Sequence, residues 1–196
     1  MGVWSMATLI KRNRLVSSLV IILIGFFALY FYALEQRKKD FNFILSYGAV
    51  DDITIIPLDY MKRGKNVLNT LEGTFIKDLV LKGPVKTRLT LTEEEMNEVR
   101  KVIDKEDILN YPEDLKYEMS VYPEMIGVLT IYEDGHPKVI EWTPLPKEFI
   151  ERYYMKNNNI KGKRMIILNE LADKIRTMIE GKEQYKKLPQ AKGGYL

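Results

Sequence analysis

Few side chains in this 196-residue sequence have a type and spacing that carry chemistry. His136 is the sole histidine, and a metal or catalytic role for it needs partners that the sequence lacks: no H-x-x-x-H pair and no cysteine. It stands one residue beyond the Asp134-Gly135 turn signal, where an exposed turn residue is expected. Glu93, Glu94 and Glu95 form an acidic triplet, but Thr92 in front of them gives it a structural reading. Thr92 as N-cap with Glu95 three residues on makes a capping box, and all three acids face the positive end of the helix dipole. There is no G-x-S-x-G, P-loop or dinucleotide fingerprint. The absence of cysteine excludes thiol chemistry and disulfides. Two carboxylates of a glycosidase type need not be neighbours in sequence, and nothing singles out such a pair. No catalytic residue can be named, and neither a cofactor nor a metal site is expected.

Interaction chemistry is better represented. Of the 12 tyrosines, only Tyr30 and Tyr32 precede residue 41. Tyrosine is favoured in partner interfaces and against sugar rings, although core packing accounts for many of these positions equally well. Tyr153 and Tyr154 stand side by side, and the tail "YKKLPQAKGGYL" ends in a Gly-Gly hinge followed by Tyr195 and Leu196. Those two residues either fold back into a groove of their own domain or are offered to a partner. Tyr153, Tyr154, Tyr195 and Leu196 are the candidate interaction residues.

The elements that must position them are readable from periodicity. "FNFILSYG" places Phe41, Phe43, Leu45 and Tyr47 on one side of a strand. Residues 48–70 read as a long loop with a brief strand at "ITII". "GTFIKDLVLKGPVKTRLTL" is a hairpin around Gly83 and Pro84, and "LTEEEMNEVRKVI" is a helix burying Met96, Val99 and Ile103. "IGVLTIYEDGHPKVIEW" is a second hairpin. Pro144 and Pro146 bracket the start of a short helix through "EFIERYYMK", a loop follows over 157–162, and "RMIILNELADKIRTMIEG" closes as a helix stopped by Gly181. This order predicts an α+β fold: a mostly antiparallel sheet of four or five strands with helices packed on one face.

Ahead of this domain lies a different kind of segment. Residues 15–34 carry no charge over 20 positions, a helix of roughly 30 Å, about one hydrocarbon core. Thirteen of them are Leu, Ile, Val or Phe, each favouring insertion by about 0.3–0.6 kcal/mol. Tyr30 and Tyr32 near the far end suit the headgroup region. Phe31 occupies the position two before Ala33 where signal peptidase needs a small residue, so an uncleaved anchor is expected. Myristoylation is disfavoured by Met6, and a lipoprotein anchor by the absence of cysteine. Lys11, Arg12 and Arg14 before the span balance Arg37, Lys38 and Lys39 after it. A short basic tail before a first span is the arrangement of a signal anchor, which leaves the N-terminus in the cytoplasm and exports the rest.

Charge bounds the partners. The formal net charge is +3, but the excess lies in residues 1–40, and the remainder holds 24 basic against 25 acidic residues. Nucleic-acid binding is therefore not indicated. Within the domain, residues 41–144 hold 12 basic and 19 acidic residues, and residues 145–196 hold 12 and 6. Either the C-terminal part lies against an acidic half, or these are solvated helix faces.

Taken in order, "FNFILSYG", "VLNTLEGTFIKDLV", "LTLTEEEMNEV" and "KLPQAKGGYL" resemble a group of uncharacterised exported, membrane-anchored proteins of Gram-positive-type bacteria, some of which use a lipobox. The resemblance implies an extracytoplasmic address and no particular activity. This chain departs from the group in carrying a helix in place of an acylated cysteine and in residues 49–63, which look like an insertion. The expected organisation is a basic tail over 1–14, a transmembrane signal anchor over 15–34, a juxtamembrane linker over 35–40 and one α+β extracytoplasmic domain over 41–196. The expected role is a binding or interaction module at the cell membrane, with the bilayer contacted through 15–34 and a protein or cell-wall partner. The alternatives are a cell-envelope hydrolase and an accessory subunit whose span pairs with another membrane protein. Gly25 gives that last reading little support, because Ile21 and Leu29 occupy the places four residues away.

Overall fold

A computed structural model of the chain describes residues 22–27, 29–30, 32, 41–50, 65–117, 124–133, 136–154 and 159–193, the side chains of His136 and Tyr154 excepted. The chain divides into two units, Met1–Asp40 and Phe41–Leu196. In the first, residues 22–27, 29–30 and 32 are helical and are called α1. Ile22, Leu23, Ile24, Phe26, Phe27, Leu29, Tyr30 and Tyr32 are each between 54% and 67% exposed, so apolar surface covers several consecutive helical steps and not one stripe. Among the described residues no helix is long and apolar enough to cross a membrane. Of the segment 15–34 expected to do so, only these positions are described, and the linker 35–40 lies outside the described residues.

The second unit is α+β. Seven strands form one sheet: β1 (Asn42–Ala49), β2 (Asn66–Asn69), β3 (Thr74–Asp78), β4 (Pro84–Arg88), β5 (Asp114–Leu115), β6 (Met125–Glu133) and β7 (His136–Trp142), in the order β4-β3-β2-β1-β6-β7-β5. Every pairing is antiparallel except the parallel β5–β7 contact. The expected count of four or five strands is thus too low. β2 was hidden in the presumed loop 48–70 because it is four residues long and begins and ends with asparagine, a residue depleted in strands. Its asparagines serve the sheet through their side chains instead. Asn66 accepts from the Asp78 amide through Oδ1 at 3.1 Å, and Asn69 accepts from the Glu72 amide to close the following turn. The predicted strand at "ITII" lies outside the described residues.

Register explains where the core sits. Leu45 pairs with Leu68 on one side and Leu129 on the other, Leu68 pairs with Phe75, and Leu129 with Ile140. These side chains share one face with Phe43, Ile131 and Trp142. Onto that face pack α2 (Glu93–Lys105) through Val99 and Ile103, α3 (Lys147–Tyr154) through Ile150, and α4 (Ile160–Gly181) through Met165, Leu168, Leu171, Ile175 and Ile179. The short α5 (Glu183–Lys186) adds Tyr185, whose ring centroid is 5.8 Å from that of Phe75. Ile44, Val67, Ile126 and Val128 on the opposite face are also no more than 6% exposed, so the central strands are buried on both sides.

The helix termini follow their sequence signals. Thr92 accepts from the Glu95 amide, and the Glu95 carboxylate accepts from the Thr92 amide at 2.7 Å, completing the capping box. α4 begins earlier than its hydrophobic pattern predicts. Asn159 caps it by accepting from the Lys161 amide at 2.9 Å, which makes helix of residues 160–162, expected to be loop. The charge asymmetry is partly expressed in contacts. Lys174 pairs with Glu98 at 2.8 Å and Lys182 with Glu95, tying α4 to α2, whereas Arg176 and Lys186 pair with Asp173 and Glu183 nearby in sequence.

Candidate functional site

The structure opens at the end of the sheet where β1, β6 and β7 meet α4. Gly127 in β6 is directly opposite Trp142 in β7. A Cβ on Gly127 would lie 2.7 Å from Trp142 Cη2 and closer still to Cζ2 and Cε2, so the indole lies against bare backbone. Its Nε1–H donates to Asn169 Oδ1 on α4 at 2.9 Å, and Asn169 Nδ2 donates onward to the Leu145 carbonyl at 2.8 Å. Thr143 Oγ1 accepts from the Tyr117 amide at 2.9 Å, and the Pro146 carbonyl accepts from the Phe149 amide at 3.0 Å at the start of α3. The segment 143–146, with prolines at 144 and 146, is therefore held at both ends and in the middle.

These elements enclose a cleft of about 560 Å³. Tyr47, Gly48, Gly127 and Trp142 lie on its sheet side, Pro144, Leu145 and Pro146 form one wall, and Ile166, Asn169 and Ala172 of α4 form the other. Met125 reaches the cleft and is 41% exposed. Four charged residues complete the lining, and they are paired with one another: Lys147 with Glu170 at 3.3 Å, and Arg176 with Asp173 at 2.9 Å. The volume and the apolar lining are those of a small-molecule site.

Tyr47 brings a hydroxyl to the lining. Its hydroxyl has no hydrogen-bond partner among the described residues, while its backbone carbonyl accepts from Asn66 Nδ2. Burial, and then the proximity of Tyr185, pushes its phenol well above the ordinary tyrosine range, so it is a protonated donor at every physiological pH. Asn169, by contrast, has both its oxygen and its nitrogen engaged within the fold.

The candidate residues read from sequence are placed elsewhere or undescribed. Tyr153 is 59% exposed on α3, its ring 4.5 Å from Phe149, which in turn meets Tyr117 edge-on at 6.0 Å; it does not line the cleft. Tyr154 ends α3, and Tyr195 and Leu196 lie outside the described residues. The tail before them runs along its own domain: the Lys192 amide donates to the Leu79 carbonyl, and a Cβ on Gly193 would meet Leu81 at 3.0 Å. His136 opens β7. No group of three or more His, Cys, Asp or Glu among the described residues is placed to hold a metal ion. Sequence reasoning missed the cleft. The signal was present in Gly127, a glycine inside an otherwise apolar strand, which marks a close approach by another group.

Comparison of the chain with protein-family models, with curated proteins and with solved structures finds no match. The cleft has to be interpreted from its own chemistry.

Proposed function

We propose that this chain is a single-pass, membrane-anchored extracytoplasmic binding module whose cleft beside Trp142 receives a small ligand. The observation that carries the binding role is the cleft itself, framed by hydrogen-bonded walls. The Trp142–Asn169–Leu145 hydrogen-bond chain holds the floor and one wall against α4, so a ligand would meet a preformed surface with little ordering left to do. Binding is favoured over hydrolysis because the two cleft carboxylates, Glu170 and Asp173, are each paired with a cation and more than 60% exposed in their side chains. A general acid needs the opposite setting, a carboxyl kept protonated by burial or by a like charge.

The address rests on α1. Eight large apolar or aromatic side chains, each more than half exposed, are compatible with a helix whose solvent is lipid, and the uncharged run 15–34 has the length of a span. The basic tail preceding it favours export of the domain.

Thermal-shift screening of the full chain in lipid nanodiscs against a library of small amphipathic compounds tests the binding role. Compounds that raise the melting temperature of the wild type are expected to lose that effect in Ala172→Phe, which fills the cleft. Stabilisation that persists in Ala172→Phe places binding elsewhere. Carbonate extraction and protease accessibility of intact cells test the address: retention in the membrane with the domain cleaved from outside is expected, and recovery in the soluble fraction contradicts it.

A further inference from the structure

The charge bookkeeping of the cleft restricts what it can hold. Its lining has two cations and two anions, and each cation is already paired with an anion across 3.3 Å or less. The lining is thus neutral in sum and offers a charged ligand no unpaired counter-charge, so an ion would give up its hydration to a largely apolar surface with little in return. Asn169 is committed within the fold on both sides, its Oδ1 to Trp142 and one Nδ2 hydrogen to the Leu145 carbonyl. The Tyr47 hydroxyl makes no hydrogen bond among the described residues, and a ligand acceptor that replaces water there gains the net value of one hydrogen bond. Ala172, Ile166, Leu145 and the Trp142 ring supply the apolar surface beside it.

We infer that the ligand of this cleft is an uncharged, largely apolar molecule with one acceptor that receives a hydrogen bond from the Tyr47 hydroxyl. This rests on the reading of the cleft as the binding site and goes further by naming the ligand's chemical class. Such a ligand partitions into lipid, which suits a module held beside a bilayer.

A matched set of naphthalenes tests the inference on the full chain in lipid nanodiscs: 2-acetylnaphthalene (neutral, with an acceptor), naphthalene (neutral, without one), 2-naphthoate (anionic) and 2-naphthylmethylammonium (cationic). Binding is read as saturable quenching of tryptophan emission, with the Ala172→Phe signal subtracted to remove partition into lipid. The wild type is expected to bind 2-acetylnaphthalene roughly threefold to tenfold more tightly than naphthalene, the value of one net hydrogen bond, and more tightly than either ion. Tyr47→Phe is expected to bring 2-acetylnaphthalene down to the naphthalene level and leave naphthalene unchanged. Tightest binding by the naphthoate or the ammonium ion overturns the inference, as does equal binding of the ketone and the hydrocarbon by the wild type, or no binding of any of the four. The wild-type ranking stands even where Tyr47→Phe fails to fold. If the library screen still yields compounds sensitive to Ala172→Phe, the ligand class alone has failed; if it yields none, the cleft itself has.

Discussion

The indole of Trp142 occupies the space in which Gly127 would carry a side chain. This one relationship couples β6 to β7, puts the indole N–H within reach of Asn169, and sets the floor of the cleft. Gly127→Ala therefore displaces the ring. A loss of about 1–3 kcal/mol in folding stability is expected from overpacking, together with a red shift of tryptophan emission as the indole leaves its site. Urea denaturation followed by fluorescence measures both, and an unchanged midpoint would show that the strand yields without effort.

Asn169 connects Trp142 to the Leu145 carbonyl, so Asn169→Ala leaves a donor and an acceptor unpaired at once. The expected loss is about 1–3 kcal/mol. Asn169→Asp keeps an acceptor for Trp142 but sets a carboxylate oxygen against the Leu145 carbonyl, so it should be no more stable than the alanine variant. Chemical denaturation of the three proteins gives the order.

Alkaline pH has a defined effect through Tyr47. Its phenol is raised above the ordinary value of 10.0, chiefly by burial, and Tyr185 and Tyr111 are raised in the same direction by burial. Below the unfolded tyrosine pKa both states are protonated and stability is fully present. As pH rises beyond it, the unfolded chain releases protons that the folded chain retains, so stability falls by up to about 1.4 kcal/mol per pH unit for each such group until the folded phenol also ionises. Tyr47→Phe should show a shallower decline above about pH 10, with the remainder carried by Tyr185 and Tyr111. Denaturant midpoints across that range measure the slope.

Val80 sits at φ +60°, a conformation that a β-branched residue adopts at a cost of about 1–3 kcal/mol. The turn over 79–83 imposes it: the Val80 amide donates to Asp78 Oδ1 at 2.9 Å, and Lys192 of the tail bridges to Val80. Val80→Asn retains a side chain that tolerates this backbone and should raise stability by about 0.5–1 kcal/mol, read from the urea midpoint.

Much of the α+β domain is legible in the sequence because its longer elements repeat at the period of their geometry. Phe43, Leu45 and Tyr47 alternate along β1 as predicted, Val99 and Ile103 face the sheet, and Thr92 and Glu95 close the capping box. β2 and β5 escaped notice because strands of four and two residues carry no measurable alternation; they exist through pairing with longer neighbours and, for β2, through asparagine side chains. The burial of both sheet faces was legible only in β6, whose run "IGVLTI" is apolar without strict alternation. The cleft was not legible, because Tyr47, Trp142 and Asn169 are far apart in sequence and meet only once β1, β6, β7 and α4 are assembled. The tail residues Tyr195 and Leu196 stand out by their chemistry, whereas Tyr47 is one of ten domain tyrosines and one of a row of strand residues.

The most direct test of the binding role is methyl NMR of the full chain carrying labelled methionines. Met125 lines the cleft with 41% of its surface exposed, whereas Met165 is fully buried in the core and Met96 packs against it. A compound that stabilises the protein should move the Met125 methyl resonance saturably and leave Met165 and Met96 in place. Saturable shifts at Met96 with none at Met125 would contradict the assignment of the cleft as the binding site.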